Sequence, residues 1–477
     1  MTSSSNLSFI DAMWDEQIVP TLTDYIRIPN KSPAFDSDWA ANGYMDRAMS
    51  LFAAWAEAHL GSFPGAQLEV VRLPGRTPLL LIEIPGAAPG TVLLYGHLDK
   101  QPEMAGWTEG TGPWQPVLTD GRLYGRGGAD DGYAMFAALA ALLALQESGQ
   151  PNARCVILIE ACEESGSSDL PSYIDHLSPR IGTPDLVVCL DSGAGNYEQL
   201  WLTTSLRGLV VGTLTVRMLE QGQHSGSASG IVPSSFRILR SLLSRIEDER
   251  TGRILLAELQ AVIPPERRRQ AERAAAILGD SVWTELPWHA HTQPMATDGT
   301  SLILARSWEP QLAITALDGC PTIKNGGNVL LPYTTAKLSM RLPPGVDSTK
   351  AAAALKETLE RDPPYGAGVR FESAGGDDGW NAPALAAWLE RSLDAASEAH
   401  YGRPAAYQGE GGSIPFMAML GRRFPHTQFV ITGVLGPQSN AHGPNEFLHI
   451  GYAKRLTACI ATVLADHARR PPRQQAA

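Results

Sequence analysis

The stretch Gly125-Arg126-Gly127-Gly128-Ala129-Asp130-Asp131-Gly132 constrains this chain more than any other. Its glycines permit backbone angles closed to other residues, and it delivers two adjacent carboxylates just before the apolar helix pattern Tyr133-Ala134-Met135-Phe136-Ala137-Ala138-Leu139. A carboxylate at a strand-to-helix turn faces the end of a sheet, where α/β proteins carry their sites. An Asp there is equally an ordinary helix cap, and its company decides between the two. His97 and Asp99 follow the apolar run Leu93-Leu94-Tyr95, and Glu163 and Glu164 follow Ile157-Leu158-Ile159. Asp191 follows Leu186-Val187-Val188-Cys189-Leu190, and His442 lies in Asn440-Ala441-His442-Gly443.

With 477 residues the chain exceeds the size at which one core stops growing, so two domains are expected. Helical spacing marks residues 9–30, 40–60, 132–148 and 169–176, and apolar strand runs mark 68–71, 79–84, 91–95, 154–159 and 185–190. Strands apolar throughout, alternating with helices, predict an α/β domain with a mostly parallel sheet covered on both faces. From residue 206 the pattern changes to half-exposed alternation at 206–218 and 334–342, with helices at 234–246 and 349–360 and a strand at 369–371. That order predicts a small α+β domain inserted in the first: 1–205 and 376–477 form the two parts of the catalytic domain, and 206–375 forms the insert, least legible over 247–330. A helix at 383–398, a strand at 427–432 and a helix at 453–465 complete the first domain, and the tail 469–477 is expected to be disordered.

His97, Asp130, Glu164, Asp191 and His442 form a set of imidazoles and carboxylates without cysteine, the donor set of a catalytic zinc, cobalt or manganese site. Three carboxylates balance two dications better than one. Asp99, two residues from His97, can accept the second ring N–H and fix the tautomer. Adjacent residues leaving a strand point different ways, so one of Glu163 and Glu164 can bind metal while the other serves as general base. The five cysteines lack metal-type pairing and are expected to be buried free thiols of a cytoplasmic protein. A net charge of −12 argues against nucleic acid, and no run approaches the ~18 apolar residues of a membrane span. The start, with Asp11, Asp15 and Glu16, does not resemble a signal peptide.

Tyr95-Gly96-His97-Leu98-Asp99, Gly125 to Asp131, Glu163-Glu164-Ser165-Gly166, Asp191-Ser192-Gly193 and His442-Gly443-Pro444-Asn445-Glu446 resemble, in order and separation, the two-zinc metallopeptidases that include carnosine and cytosolic nonspecific dipeptidases. The resemblance implies one zinc on His97, Asp130 and Asp191 and a second on Asp130, Glu164 and His442, with Mn2+ or Co2+ as substitutes. It implies Glu163 as base, a cis Asp130–Asp131 peptide, and an insert that is both lid and homodimer interface. Gln223-His224-Ser225-Gly226 resembles the motif whose histidine stabilises the oxyanion in the neighbouring subunit's site. Ser339-Met340-Arg341-Leu342-Pro343 resembles the one whose arginine binds the substrate carboxylate, a task suited to a bidentate fork. Gly409-Glu410-Gly411-Gly412-Ser413-Ile414-Pro415 resembles the loop in which backbone N–H groups, here at Gly412, and a serine, here Ser413, complete that carboxylate site; Asn328 is similar to a lid asparagine of the wider family.

One stretch departs from the pattern. Ser373-Ala374-Gly375-Gly376-Asp377-Asp378-Gly379-Trp380 stands where the dipeptidases carry a His-Gly-Gly-Lys-Pro-Trp-like sequence, so two acids replace a histidine and a lysine. The expected activity is metal-dependent hydrolysis of the amide of a dipeptide or short peptide with a free C-terminal carboxylate. The alternatives are N-acyl-amino-acid deacylation and, from another class, a non-catalytic binding protein, for which an intact base would have no use.

Overall fold

The computed structural model describes residues 3–470. The chain folds into two compact units: one is built from the chain up to Thr203, Ala382–Tyr407 and the chain from Met419; the other comprises Thr204–Asn381 and Gln408–Ala418.

The first unit is organised by a six-stranded sheet of β1 (Gln67–Val71), β2 (Leu79–Ile84), β3 (Ala88–His97), β4 (Ala153–Glu160), β5 (Leu186–Cys189) and β6 (Gln428–Ile431), in spatial order β1-β2-β4-β3-β5-β6. β4, β3, β5 and β6 run parallel, and β2 and β1 add antiparallel at one edge. The parallel strands are apolar throughout because both faces are covered, so they read as continuous runs rather than as alternation. α1 (Val19–Ile26) packs against the glycine-rich turn Gly128–Gly132, and on one face of the sheet lie α2 (Ala134–Glu147) and α3 (Ile450–Arg469), with α3 packed on α2. Against the expectation that no run approaches a membrane span, Gly128–Glu147 is long and apolar enough to cross one, but its apolar residues as far as Leu145 are buried in the core of this unit. Parallel register puts the C-terminal ends of β3, β4 and β5 side by side, with His97 opposite Glu160, and at that edge an α/β sheet presents its loops.

The second unit is a four-stranded antiparallel sheet in the order Gln311–Asp318, Tyr333–Leu342, Gly208–Arg217, Gly368–Asp377. Val210, Leu214, Ala336, Leu338 and Met340 face a core completed by Ile238, Leu239 and Leu242 of the helix Ser235–Leu243 and by Leu355 and Leu359 of the helix Ser348–Glu360. The strand expected at 369–371 runs on to Asp377 through a bulge between Ser373 and Gly375. The stretch 247–330 contains the helices Pro265–Leu278 and Gly299–Ser307. Cys155, Cys162, Cys189 and Cys459 are buried free thiols, whereas Cys320 is exposed, against expectation, because it lies in the loop after the exposed strand Gln311–Asp318. Of the tail expected to be disordered, Arg469 closes α3 and Arg470 pairs with Asp185; residues 471–477 lie outside the described residues.

Candidate active site

The turn after β3 is fixed from below. Tyr25 Oη and Asn30 Nδ2 donate to the Leu98 carbonyl at 2.7 and 2.6 Å. Lys100, fully buried, donates to the carbonyls of Tyr25 and Ile28 at 2.9 and 2.8 Å, which satisfies carbonyls left open where α1 ends. The glycine-rich turn lies against this lysine. Gly127 has φ 83°, and a Cβ there would fall 2.5 Å from Lys100 Cε, so both conformation and space require glycine. The Asp130–Asp131 peptide that follows is cis.

His97, at the end of β3, turns Nδ1 toward the main-chain oxygen of Asp99 at 3.1 Å. A carbonyl only accepts, so Nδ1 carries the proton and Nε2 is left to face Asp130 Oδ1 at 3.4 Å and Asp191 Oδ2 at 3.9 Å. The Asp99 carboxylate lies 3.5 Å from Nδ1. Its closer partners are the backbone N–H groups of Glu163 and Glu164, each donating at 3.0 Å. Asp99 therefore holds His97 mainly through its backbone, while its side chain holds the Glu163-Glu164 turn, an arrangement its spacing from His97 does not indicate. Gln101, which no motif marks in the sequence, donates Nε2 to Glu164 Oε2 at 2.6 Å. On the other side, His442 Nε2 sits 3.1 Å from Asp130 Oδ2 and 3.3 Å from Glu164 Oε2.

Two groups of possible metal donors result, His97-Asp130-Asp191 and Asp130-Glu164-His442, each with its donor atoms within 4.8 Å of one another and both using Asp130. The donors fit divalent cations on two counts. His97 Nε2 and Glu164 Oε1 are buried without a hydrogen-bond partner, which is costly unless something else coordinates them. The site also holds more carboxylates than it can keep ionised unaided: burial, then neighbouring negative charge, pushes Glu163 and Glu164 well up, and burial, against His97, pushes Asp191 up to about 6. Burial would lift Asp130 too, but the imidazoles of His442 and His97 beside it hold it below the usual range. Burial would lower His97, and the facing carboxylates of Asp130, Asp99 and Asp191 outweigh it and raise it.

The remaining five expected residues, His224, Asn328, Arg341, Gly412 and Ser413, all belong to the second unit. His224 is exposed on a two-residue strand paired with Val329–Leu330, and the Asn328 carbonyl accepts the Ser225 N–H at 2.9 Å. Arg341 stands opposite Leu209, with Asp377 opposite the same residue from the other side. Burial lowers the Arg341 guanidinium, and Asp377 works against that shift. Asp378, the second acid of the departing stretch, accepts the Ser348 N–H at 2.9 Å at the start of a helix. Gly412 and Ser413 lie in the loop ahead of the helix Pro415–Arg423.

Residues 93–466 match the model for peptidase family M20/M25/M40. The chain belongs to this family. It is a metallopeptidase, an enzyme that binds divalent metal. The cysteinylglycine-S-conjugate dipeptidase of Corynebacterium striatum is 28% identical over 422 residues, covering 84% of this chain and 88% of that protein. The Beta-Ala-His dipeptidase of Homo sapiens is 28% identical over 290 residues, covering 59% of this chain and 56% of that protein. In fold, the chain is similar to the solved structure of the di-peptidase Dug1p from Saccharomyces cerevisiae, with a TM-score of 0.78, 22% identity and 99% of each chain covered.

Beneath this site Glu160 ends β4, accepting from Tyr95 Oη at 2.6 Å and Ser167 Oγ at 2.9 Å, with Oε2 unpartnered. Burial, against those bonds, pushes its carboxyl from 4.5 up to about 8. In the unfolded chain Glu160 loses its proton near 4.5 and in the folded chain only near 8, so between those values the unfolded state binds fewer protons and stability falls as pH rises. The loss in chelator-treated protein is expected to be on the order of 5 kcal/mol across that window. Glu160→Gln should make the stability-pH curve of chelated protein shallower between pH 5 and 8 in denaturant titrations, the remaining slope belonging to other raised carboxylates such as Asp191 and Glu446; parallel curves for variant and wild type would show that Glu160 titrates normally.

Proposed function

We propose that the chain hydrolyses the amide bond of dipeptides or short peptides bearing a free C-terminal carboxylate, with two divalent ions, zinc in the first place, and Glu163 as general base. The observation that carries this is the sharing of Asp130 by two donor groups at 3.4 and 3.1 Å from His97 and His442, with Glu163 on the same turn as the donor Glu164. His97, Asp130 and Asp191 would hold one ion, and Asp130, Glu164 and His442 the other. Bound divalent ions supply Lewis-acid polarisation of the scissile carbonyl and activation of water. Glu163, kept out of the donor groups and raised by burial above the usual carboxylate range, takes the proton from the attacking water and returns it to the leaving nitrogen. Asp99 keeps the imidazole of His97 and the Glu163-Glu164 turn in register. Arg341, with Gly412 and Ser413, holds the substrate carboxylate, Asn328 supports it, and His224 donates to the oxyanion. The enzyme works as a cytoplasmic homodimer joined through the second unit. The dipeptides in the names of both relatives favour this substrate class.

Amine release tests it, using chelated and then zinc- or manganese-restored protein on parallel panels of dipeptides, tripeptides and N-acetyl amino acids. Restoration should bring back dipeptide turnover at least a hundredfold above the chelated level. Turnover of the acylated panel alone would make the enzyme a deacylase, and turnover unaffected by chelation would remove the metals from the reaction.

A further inference from the structure

Arg126 and Glu446 form an ion pair, 2.6 Å from Nη1 to Oε2, with side chains 1% and 0% exposed. Burying two charges is expensive, and such a pair is often no more stabilising than apolar residues of the same volume, so its use is to be sought in what else the two groups hold. Glu446 spends Oε1 on the backbone of the turn that carries Asp130, accepting the Gly127 N–H at 2.9 Å and the Asp130 N–H at 3.3 Å. Arg126 spends Nη2 on the Gly443 carbonyl at 2.8 Å, next to His442, and Nε on the Pro102 carbonyl at 3.2 Å. The main chains join as well, Gly125 N–H donating to the Glu446 carbonyl at 3.0 Å. Each charge thus grips the other's loop.

The loop that presents His442 needs such a grip. Gln438, Asn440, His442 and Asn445 all have left-handed φ, between 54° and 63°, a conformation that persists in side-chain-bearing residues where the surroundings impose it. Arg126 on Gly443, Asn440 Nδ2 on the Pro444 carbonyl, and Asn445 Oδ1 accepting the Thr108 N–H at 2.8 Å are the restraints in view. With its side chain 57% exposed, His442 has little packing of its own to fix it.

We infer that Arg126 and Glu446 are positioning residues that join the Asp130 turn and the His442 loop into one donor group, and that the pair sets the affinity of the Asp130-Glu164-His442 ion rather than that of the His97-Asp130-Asp191 ion. The inference rests on the two-ion reading above. Neither residue touches a donor atom; they act through backbone. Glu446→Gln keeps the shape and an acceptor for the two N–H groups but removes the charge, and Arg126→Lys keeps a charge but removes the fork that reaches Gly443.

Calorimetric titration of chelated protein with Zn2+, with Co2+ absorption as a second readout, tests this on wild type, both variants and His442→Ala. Wild type should bind two ions. Both variants should keep one at wild-type affinity and bind the other 10- to 100-fold more weakly, the range for lost outer partners of a metal ligand; the titration should approach that of His442→Ala, and turnover should recover at raised metal concentration. A wild type binding a single ion would sink the two-ion reading itself. Two ions at wild-type affinity in folded variants, equal weakening of both ions, or unfolding of both variants by circular dichroism would each overturn the positioning role and leave the pair as a clamp of the fold.

Discussion

In the Glu163→Gln variant, kcat is expected to fall by about 10² to 10⁴, the usual contribution of a positioned acid-base group, while the metal content stays that of wild type. The separation follows from the turn after β4. The N–H groups of Glu163 and Glu164 are each held at 3.0 Å by the two oxygens of one carboxylate, Asp99, so the backbone conformation does not depend on the Glu163 side chain. Glu164, not Glu163, lies in a donor group, and Gln101 keeps it there. The amide matches the carboxylate in shape but neither accepts nor returns a proton at this pH. Turnover and metal content measured on one preparation decide the matter. A variant within tenfold of wild-type kcat would remove Glu163 as base, and one that lost an ion along with its activity would make it a ligand.

The donor residues are legible because each follows an apolar strand run or sits in a glycine turn, and local pattern suffices to see that. What joins them is not local. The Asp99 carboxylate reaches Glu163 and Glu164 across more than sixty residues, and Glu446 reaches Gly127 across more than three hundred. Hydrogen bonds of that kind leave no periodicity. In the sequence Glu446 stands out only as the last residue of a motif, and its partner Arg126 only as part of a glycine turn.

The same physics explains the illegible stretch 247–330. The helix Pro265–Leu278 buries only Arg267, Ala271 and Ala274, so no stripe of large apolar residues marks it, and the strand Gln311–Asp318 is exposed along most of its length. Three-residue strands such as Val117–Thr119 and Arg122–Tyr124 are too short to show alternation. The stretch Gln408–Ala418 packs with the second unit although the sequence places it in the closing part of the catalytic domain; among its bonds there, Arg207 donates Nε to the Gly411 carbonyl at 3.2 Å and Thr204 Oγ1 donates to the Gln408 carbonyl at 3.1 Å.

His224→Ala is expected to lower kcat by about 10² to 10³, the effect of removing one oxyanion donor. The local geometry prepares the ring for that work. Its Nδ1 accepts the Gly226 N–H at 3.2 Å, so the neutral imidazole carries its proton on Nε2 and offers a donor outward. The ring is exposed in the single chain, as a group that serves another subunit would be. Mixing His224→Ala protein with Glu163→Ala protein separates the two possibilities. If each site takes its histidine from the partner, a mixed dimer contains one site with both groups intact, and free exchange restores about a quarter of wild-type activity. If each site uses its own histidine, every site lacks one group and the mixture stays as inactive as its components. Co-purification of two different affinity tags from the same mixture shows whether mixed dimers formed, so a silent result with mixed dimers present rules out sharing, and sedimentation of an active wild-type preparation as monomers rules out the dimer itself.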